Sequence, residues 1–377
     1  MQGVTVRDAG PGDAVEGVQP RWVALPESVE EIAAVLRSCA ERDLAVVPVG
    51  GGTKLHWGSP PERCDVLLDL CCLNEIVEHA AGDLVVRTQP GVTMEALAEV
   101  LAGKGQELAL DVPLEGATVG GTLATATAGP RSLRYGTARD LLIGITVVLA
   151  DGTIARSGGK VVKNVAGYDL GKLFTGSYGT LGVIAEATFR LHPLPADRRW
   201  VVGEASEALL ETLAASQAEP SGIAVDLPSG TVAVLLEGSA ADRRAAAIGL
   251  LMGGRVTDTA PGWWGALPGE GADDEVLVEV RARVTEADAL IRALGDAPAR
   301  MWVADHLVAH VAPPPGSDPT ALVTRLREDA GWRTRVVAGR VGVDRWGAVD
   351  ALPLMRRVKE RFDPGRRMSP GRFVGGI

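Results

Sequence analysis

Three glycine-rich loops in the first half of the chain constrain its fold more than any other feature. "PVGGGTK" (Pro48–Lys54) follows an apolar run, "GATVGGT" (Gly116–Thr122) repeats the same chemistry, and "GSYGTLGVI" (Gly176–Ile184) leads into an alternating strand. Glycine tolerates positive φ and lets main-chain N–H groups approach a ligand with no Cβ between them. None of the loops is a nucleotide fingerprint. The first lacks G-x-x-x-x-G-K-[ST], and Leu55 stands where G-x-G-x-x-G needs its third glycine. One such loop is equally well a turn without a ligand. Three of them, with small side chains almost throughout Gly116–Gly129, predict nests around one long ligand with a central diphosphate and planar ends.

The flanking segments read as α/β structure. Ser28 and Glu31 form a capping-box pattern, and Ile32, Val35, Leu36 and Cys39 give one apolar helical face. "LAVVPV", "DVLLDL" and "LVVRT" read as buried strands, with a helix from about Thr93. Asp151-Gly152 marks a hairpin between two further strands. From about Ala196 the glycine loops stop, and alternating strands interleave with Ala-rich helices, the pattern of an α+β domain with an antiparallel sheet. A basic helix ends before Asp363-Pro364.

At 377 residues the chain is too long for one ordinary core. A net charge of −10 argues against a nucleic-acid partner, which needs a basic face, and favours a cytoplasmic protein. No apolar stretch is long enough for a transmembrane helix, and the first residues lack the pattern of a signal peptide. Adjacent Cys71 and Cys72 do not fit zinc or iron–sulfur spacings. With Cys39 and Cys64 they are expected as reduced core thiols. Only six residues are lysine, and Lys160, Lys163 and Lys172 cluster in "SGGKVVKNVAGYDLGKLFTGSYGTLGVI" with Tyr168 and Tyr178.

The succession "PVGGGT", "GATVGGTLATATAG", Tyr135-Gly136, "GSYGTLGVI" and "RFDPGRRMSPGRF" resembles the FAD-binding domain of the vanillyl-alcohol oxidase and p-cresol methylhydroxylase superfamily. The lysine-rich stretch is similar, more narrowly, to the smaller FAD-binding subunits of bacterial glycolate oxidases. The resemblance implies an α+β chain with the two-subdomain p-cresol methylhydroxylase (PCMH)-type fold over residues 1–195, its subdomains about 1–90 and 91–195. An α+β cap (196–345) and a C-terminal segment returning to the first domain (346–377) complete it. It implies that Pro48, Val49, Gly50, Gly51, Gly52, Thr53 and Lys54 hold the diphosphate of FAD. Pro113, Thr118, Gly120, Gly121 and Gly129, with Tyr135 and Gly136, would line the ribityl and flavin side, and Val183 and Ile184 would offer main-chain groups. His56 is displaced from the position of covalent attachment, so non-covalent FAD is expected.

Reduced flavin carries negative charge, so a nearby lysine raises its potential. Lys163, Asn164 and Tyr168 are the candidate catalytic residues. The resemblance implies oxidation of glycolate or a related small 2-hydroxy acid. Electrons would leave through a larger FAD-binding subunit and an iron–sulfur subunit, with membrane association at most peripheral and through those partners. Two alternatives stand beside it: a flavin-bearing relay or assembly subunit, and a stand-alone FAD oxidase of another alcohol. The cap lacks the HGDGN and GEHG motifs of catalytic relatives and offers only His306 and His310. These are expected as packed residues on one face of a strand, with no metal site.

Overall fold

In a computed structural model describing residues 3–159, 169–206, 208–269, 275–314 and 316–377, the first helix starts where its cap chemistry places it. The Ser28 hydroxyl accepts the Glu31 N–H at 3.1 Å, and α1 (Val29–Glu41) buries Ile32, Val35, Leu36 and Cys39. Glu31 reaches back to the Glu27 N–H, one residue before the position of a full capping box. Helix α1 crosses over between parallel strands in a four-stranded sheet of order β1-β2-β4-β3. Its strands are β1 (Thr5–Asp8), β2 (Trp22–Leu25), β3 (Val46–Val49) and β4 (Val66–Asp69).

The second sheet is antiparallel. It takes β5 (Ile76–Ala80) and β6 (Val85–Thr88), then, beyond the short strand β7 (Gln106–Glu107), β8 (Leu142–Val148), β9 (Ile154–Gly158) and β10 (Val183–Arg190), in the order β5-β6-β10-β8-β9. Because β6 pairs with β10 and β5 with β6, the two subdomains divide between Asp69 and Ile76, not near residue 90. One apolar core joins α1 and β4 to Val148, Val183 and Ala185 of the second sheet.

Strand β11 (His192–Pro193) pairs with β7, and the chain then enters the cap. Its eight antiparallel strands are β12 (Arg198–Glu204), β13 (Gly222–Asp226), β14 (Thr231–Glu237), β15 (Arg255–Thr257), β16 (Leu277–Ala282), β17 (Ala299–Val303), β18 (Leu307–Val311) and β19 (Arg333–Ala338). Helices Ala241–Met252, Ala287–Leu294 and Pro319–Glu328 pack their apolar faces on one side. His306 and His310 do not share a strand face: β18 begins at Leu307, which leaves His306 in the hairpin turn beside Asp305. His310 is buried in β18, stacked on Trp302 with centroids 4.9 Å apart. Burial lowers its pKa to about 4, with Glu279 opposing, so it is neutral at pH 7.

A buried polar network fastens the cap. Glu107 receives Arg131 at 2.6 Å and Arg198 at 2.7 Å, while Glu237 receives Arg198 at 2.9 Å and the Tyr135 hydroxyl at 2.9 Å. Burial pushes the Glu237 carboxyl upward, but Arg131, Tyr135 and Arg198 outweigh it and hold the pKa below its ordinary value. Glu237→Gln keeps the shape and loses the charge-assisted bonds, so it is expected to cost about 1.5–3 kcal/mol. Urea denaturation of the two proteins checks this.

The C-terminal helix Leu352–Phe362 ends at Asp363, after which the chain returns to β3. Val46 N–H donates to the Arg367 carbonyl, and Ser369 N–H to the Val46 carbonyl, both at 2.8 Å. Lys359, one of the few lysines, is buried here and donates to Thr180 O, Met368 O and Asp363 Oδ2.

Candidate functional site

The end of β3 opens directly into the first glycine loop. A Cβ on Gly50 would lie 2.2 Å from Thr118 Oγ1, and one on Gly51 would lie 2.1 Å from the Gly116 carbonyl. These glycines therefore let two loops of the protein touch each other. The main-chain N–H groups of Gly51, Gly52 and Thr53 find no acceptor among the described residues, and Gly52 has φ +73°. This is a nest of free donors.

The second loop is built differently from the expected nest. Thr118 caps α2 (Val119–Thr125), its hydroxyl accepting the Gly121 N–H at 3.3 Å. Gly120 N–H donates to the Pro90 carbonyl at 2.8 Å. With their amides engaged inside the protein, Gly120 and Gly121 offer smallness rather than donors. The third loop is tied to the end of α2: Gly176 N–H donates to Leu123 O and Tyr178 N–H to Ala124 O. Tyr178 sits at φ +55°, an uncommon conformation for a bulky side chain.

The three loops wall one cleft of about 820 Å³, counting its mouth to solvent. Pro48–Lys54, Thr118, Gly120, Gly121 and Ile184 line it. Five other sequence candidates do not. Pro113 lies off the cleft, Gly129 closes on Asp111, and Gly136 lies against Asp140. Tyr135 is bound to the cap through Glu237. Val183 alternates with Ile184 along β10 and is fully buried in the core. Lys163, Asn164 and Tyr168, with Lys160, lie outside the described residues. Lys172 is half-exposed beside Asp169 at 3.8 Å.

Sequence reasoning missed Pro90, Ser177, Tyr178 and Arg372, all of which line the cleft. Arg372 carries the most information. Its Nη2 donates to Leu55 O at 2.8 Å and Trp57 O at 2.6 Å, while Nη1 is buried with no partner. Ser177 Oγ is likewise buried and unpartnered. Lys54 is only 8% exposed, and its Nζ meets Thr53 Oγ1 at 3.5 Å. Burial lowers its pKa to about 8, with Glu95 opposing. Two buried cations and a row of free amides converge on one cleft, and a diphosphate is the chemistry that satisfies them. Among the described residues no histidine lines this cleft, and no group of three His, Cys, Asp or Glu could hold a metal.

Comparison with known proteins agrees with this geometry. Residues 20–158 match the family described as an FAD binding domain. Glycolate oxidase subunit GlcD of Bacillus subtilis (strain 168) is 37% identical over 218 residues, 57% of this chain and 45% of that protein. The mitochondrial D-2-hydroxyglutarate dehydrogenase of Bos taurus is 39% identical over 171 residues, 45% of this chain and 31% of its own length. The match thus spans less than half of these relatives. A crystal structure of p-cresol methylhydroxylase with substrate bound superposes at TM-score 0.70 and 18% identity, over 94% of this chain and 89% of that one. Alkyldihydroxyacetonephosphate synthase gives 0.71 at 18% identity, over 94% and 76%. At that identity the likeness is one of fold.

Proposed function

This chain carries an FAD-binding domain within a PCMH-type fold, and from that premise we propose that it is the FAD-binding subunit of an oxidoreductase complex acting on glycolate or a related small 2-hydroxy acid. The single observation that carries the reading is the cleft with free donors from Gly51–Thr53, Lys54 and Arg372. Those residues fit the diphosphate of FAD, and Ser177 adds a free hydroxyl. When bound, FAD supplies a two-electron acceptor for the alcohol carbon. The similarity to enzymes named for glycolate and D-2-hydroxyglutarate supports the substrate class.

We place the chain in the cytoplasm, with a larger FAD-binding subunit and an iron–sulfur subunit as partners. Among the described residues no helix is long and apolar enough to cross a membrane. A second reading, a flavin-bearing subunit without its own turnover, is favoured by the cap histidines. His310 is buried against Trp302, and neither it nor His306 lines the cleft.

The purified chain is expected to be yellow, with FAD entirely in the supernatant after acid precipitation. Flavin left on the protein pellet would exclude non-covalent binding. Anaerobic addition of glycolate, D-lactate or D-2-hydroxyglutarate tests the activity. Bleaching is expected to be slow in the single chain and fast with both partners co-expressed. No bleaching in either preparation would overturn the substrate assignment.

The charge on Lys54 also fixes a pH dependence. A diphosphate beside it favours the protonated amine, so binding takes up a proton wherever the free lysine is neutral. Below pH 8 Lys54 is already charged and affinity is flat; above about 8 it falls toward tenfold per pH unit. Dissociation constants measured between about pH 6.5 and 9.5 should show this slope in the wild type and lose it in Lys54→Met.

A further inference from the structure

The cofactor cleft makes no use of Cys71 and Cys72. Both are exposed, unlike buried Cys39 and Cys64, so the expectation of four core thiols holds for only two. The reason is local. Cys71 and Cys72 fill the two central positions of a tight turn in which Leu73 N–H donates to the Leu70 carbonyl at 3.0 Å. Asp69 Oδ1 accepts the Cys71 N–H at 3.0 Å. On the inner side Gly91 N–H donates to Leu73 O at 2.8 Å, and a Cβ on Gly91 would come within 2.4 Å of Leu70 O. A turn wedged in this way holds both side chains outward.

The two Sγ atoms are 3.8 Å apart, and that distance decides what the pair can bind. A disulfide needs S–S of about 2.05 Å and Cα atoms usually at least about 4.4 Å apart. Adjacent Cα atoms across a trans peptide are only about 3.8 Å apart, so closing this ring would strain the turn. Two thiolates held by one centre with bonds of about 2.3 Å lie about 3.2 Å apart at a right angle and about 3.8 Å apart at the tetrahedral angle, so the pair needs at most a small side-chain rotation to close on a single thiophilic atom. Among the described residues no third His, Cys, Asp or Glu completes a metal site, so a closed zinc centre has too few ligands. An element that carries its own substituent and needs only two sulfurs remains.

We propose that Cys71 and Cys72 form a bidentate dithiol site for a thiophilic centre of the trivalent arsenical class. The condensation balances without any redox change. Two S–H bonds and one As=O group are consumed, two As–S bonds form, and the oxygen leaves with both protons as water. The site sits one residue from the cleft wall, since Leu70 lines the cleft and its N–H donates to Val49 O at 2.9 Å. The proposal does not rest on the FAD reading.

The probe is phenylarsine oxide, added to the full chain as purified, with its thiols reduced, and followed by intact mass. One adduct per chain is expected, resistant to excess 2-mercaptoethanol and removed by 2,3-dimercaptopropanol. Cys71→Ser and Cys72→Ser should each weaken binding at least about 100-fold. Both positions are exposed, and an unchanged circular dichroism spectrum will confirm that the variants fold. A full adduct in either serine variant, its removal by the monothiol, or no adduct on the wild type would overturn the proposal.

Discussion

Gly51→Val is expected to yield a folded protein that retains no FAD. A Cβ at this position would stand 2.1 Å from the Gly116 carbonyl, a distance side-chain repacking cannot relieve because the backbone fixes the Cβ and the oxygen it meets is main chain. The first glycine loop must therefore move away from Gly116, and its free amides move with it. Overpacking of this kind costs roughly 1–3 kcal/mol, while the lost amide contacts to an anion are worth roughly 1.5–3 kcal/mol each. Retention should fall by at least about 100-fold, equivalent to roughly 2.7 kcal/mol. The control is Gly82→Ala, which lies off the cleft and whose Cβ would meet nothing within 4 Å. Absorbance at the flavin band after gel filtration measures both. Normal FAD content in Gly51→Val would show that this loop does not hold the cofactor.

Arg372→Met is expected to weaken FAD roughly 10- to 100-fold, the loss of one charge-assisted contact of about 1.5–3 kcal/mol. The side chain is 4% exposed, and burial lowers its pKa to about 10 while leaving it charged at pH 7. Its two contacts to Leu55 O and Trp57 O position the guanidinium; the unpartnered Nη1 is what an anion would meet. Arg372→Lys separates the two roles, because it keeps the charge and loses the fork. Flavin-fluorescence titration of the apoprotein gives the affinities, and ADP competition reports the diphosphate end alone. Equal losses for FAD and ADP are expected. A loss for FAD with none for ADP would move Arg372 away from the diphosphate.

How much of this was visible in the sequence depends on how local each feature is. The Ser28 cap, the Asp151-Gly152 hairpin and the glycine loops rest on neighbours within a few residues, and they appear where their spacing puts them. Non-local features were not visible. Nothing in "LVVRTQPG" says that β6 pairs with β10, a hundred residues on, and so moves the subdomain division. Gly120 is legible as a small residue and lines the cleft, but its closeness to Pro90 depends on the approach of another loop. Tyr135 carries a legible motif yet serves the cap through Glu237, a residue from another domain. Arg372 stood in a quoted motif, but only the fold reveals that its Nη1 has no partner.

The return of the chain end to β3 has a consequence in time. Arg372 and Leu55 are hydrogen-bonded across 317 residues of sequence. At a synthesis rate of about 5–20 residues per second, the first glycine loop waits roughly 15–60 s on the ribosome before that cation exists. Until then the loop is an anion nest with one wall missing. Full-affinity FAD binding is thus expected only once Arg372 has been made, and FAD captured earlier should exchange more readily.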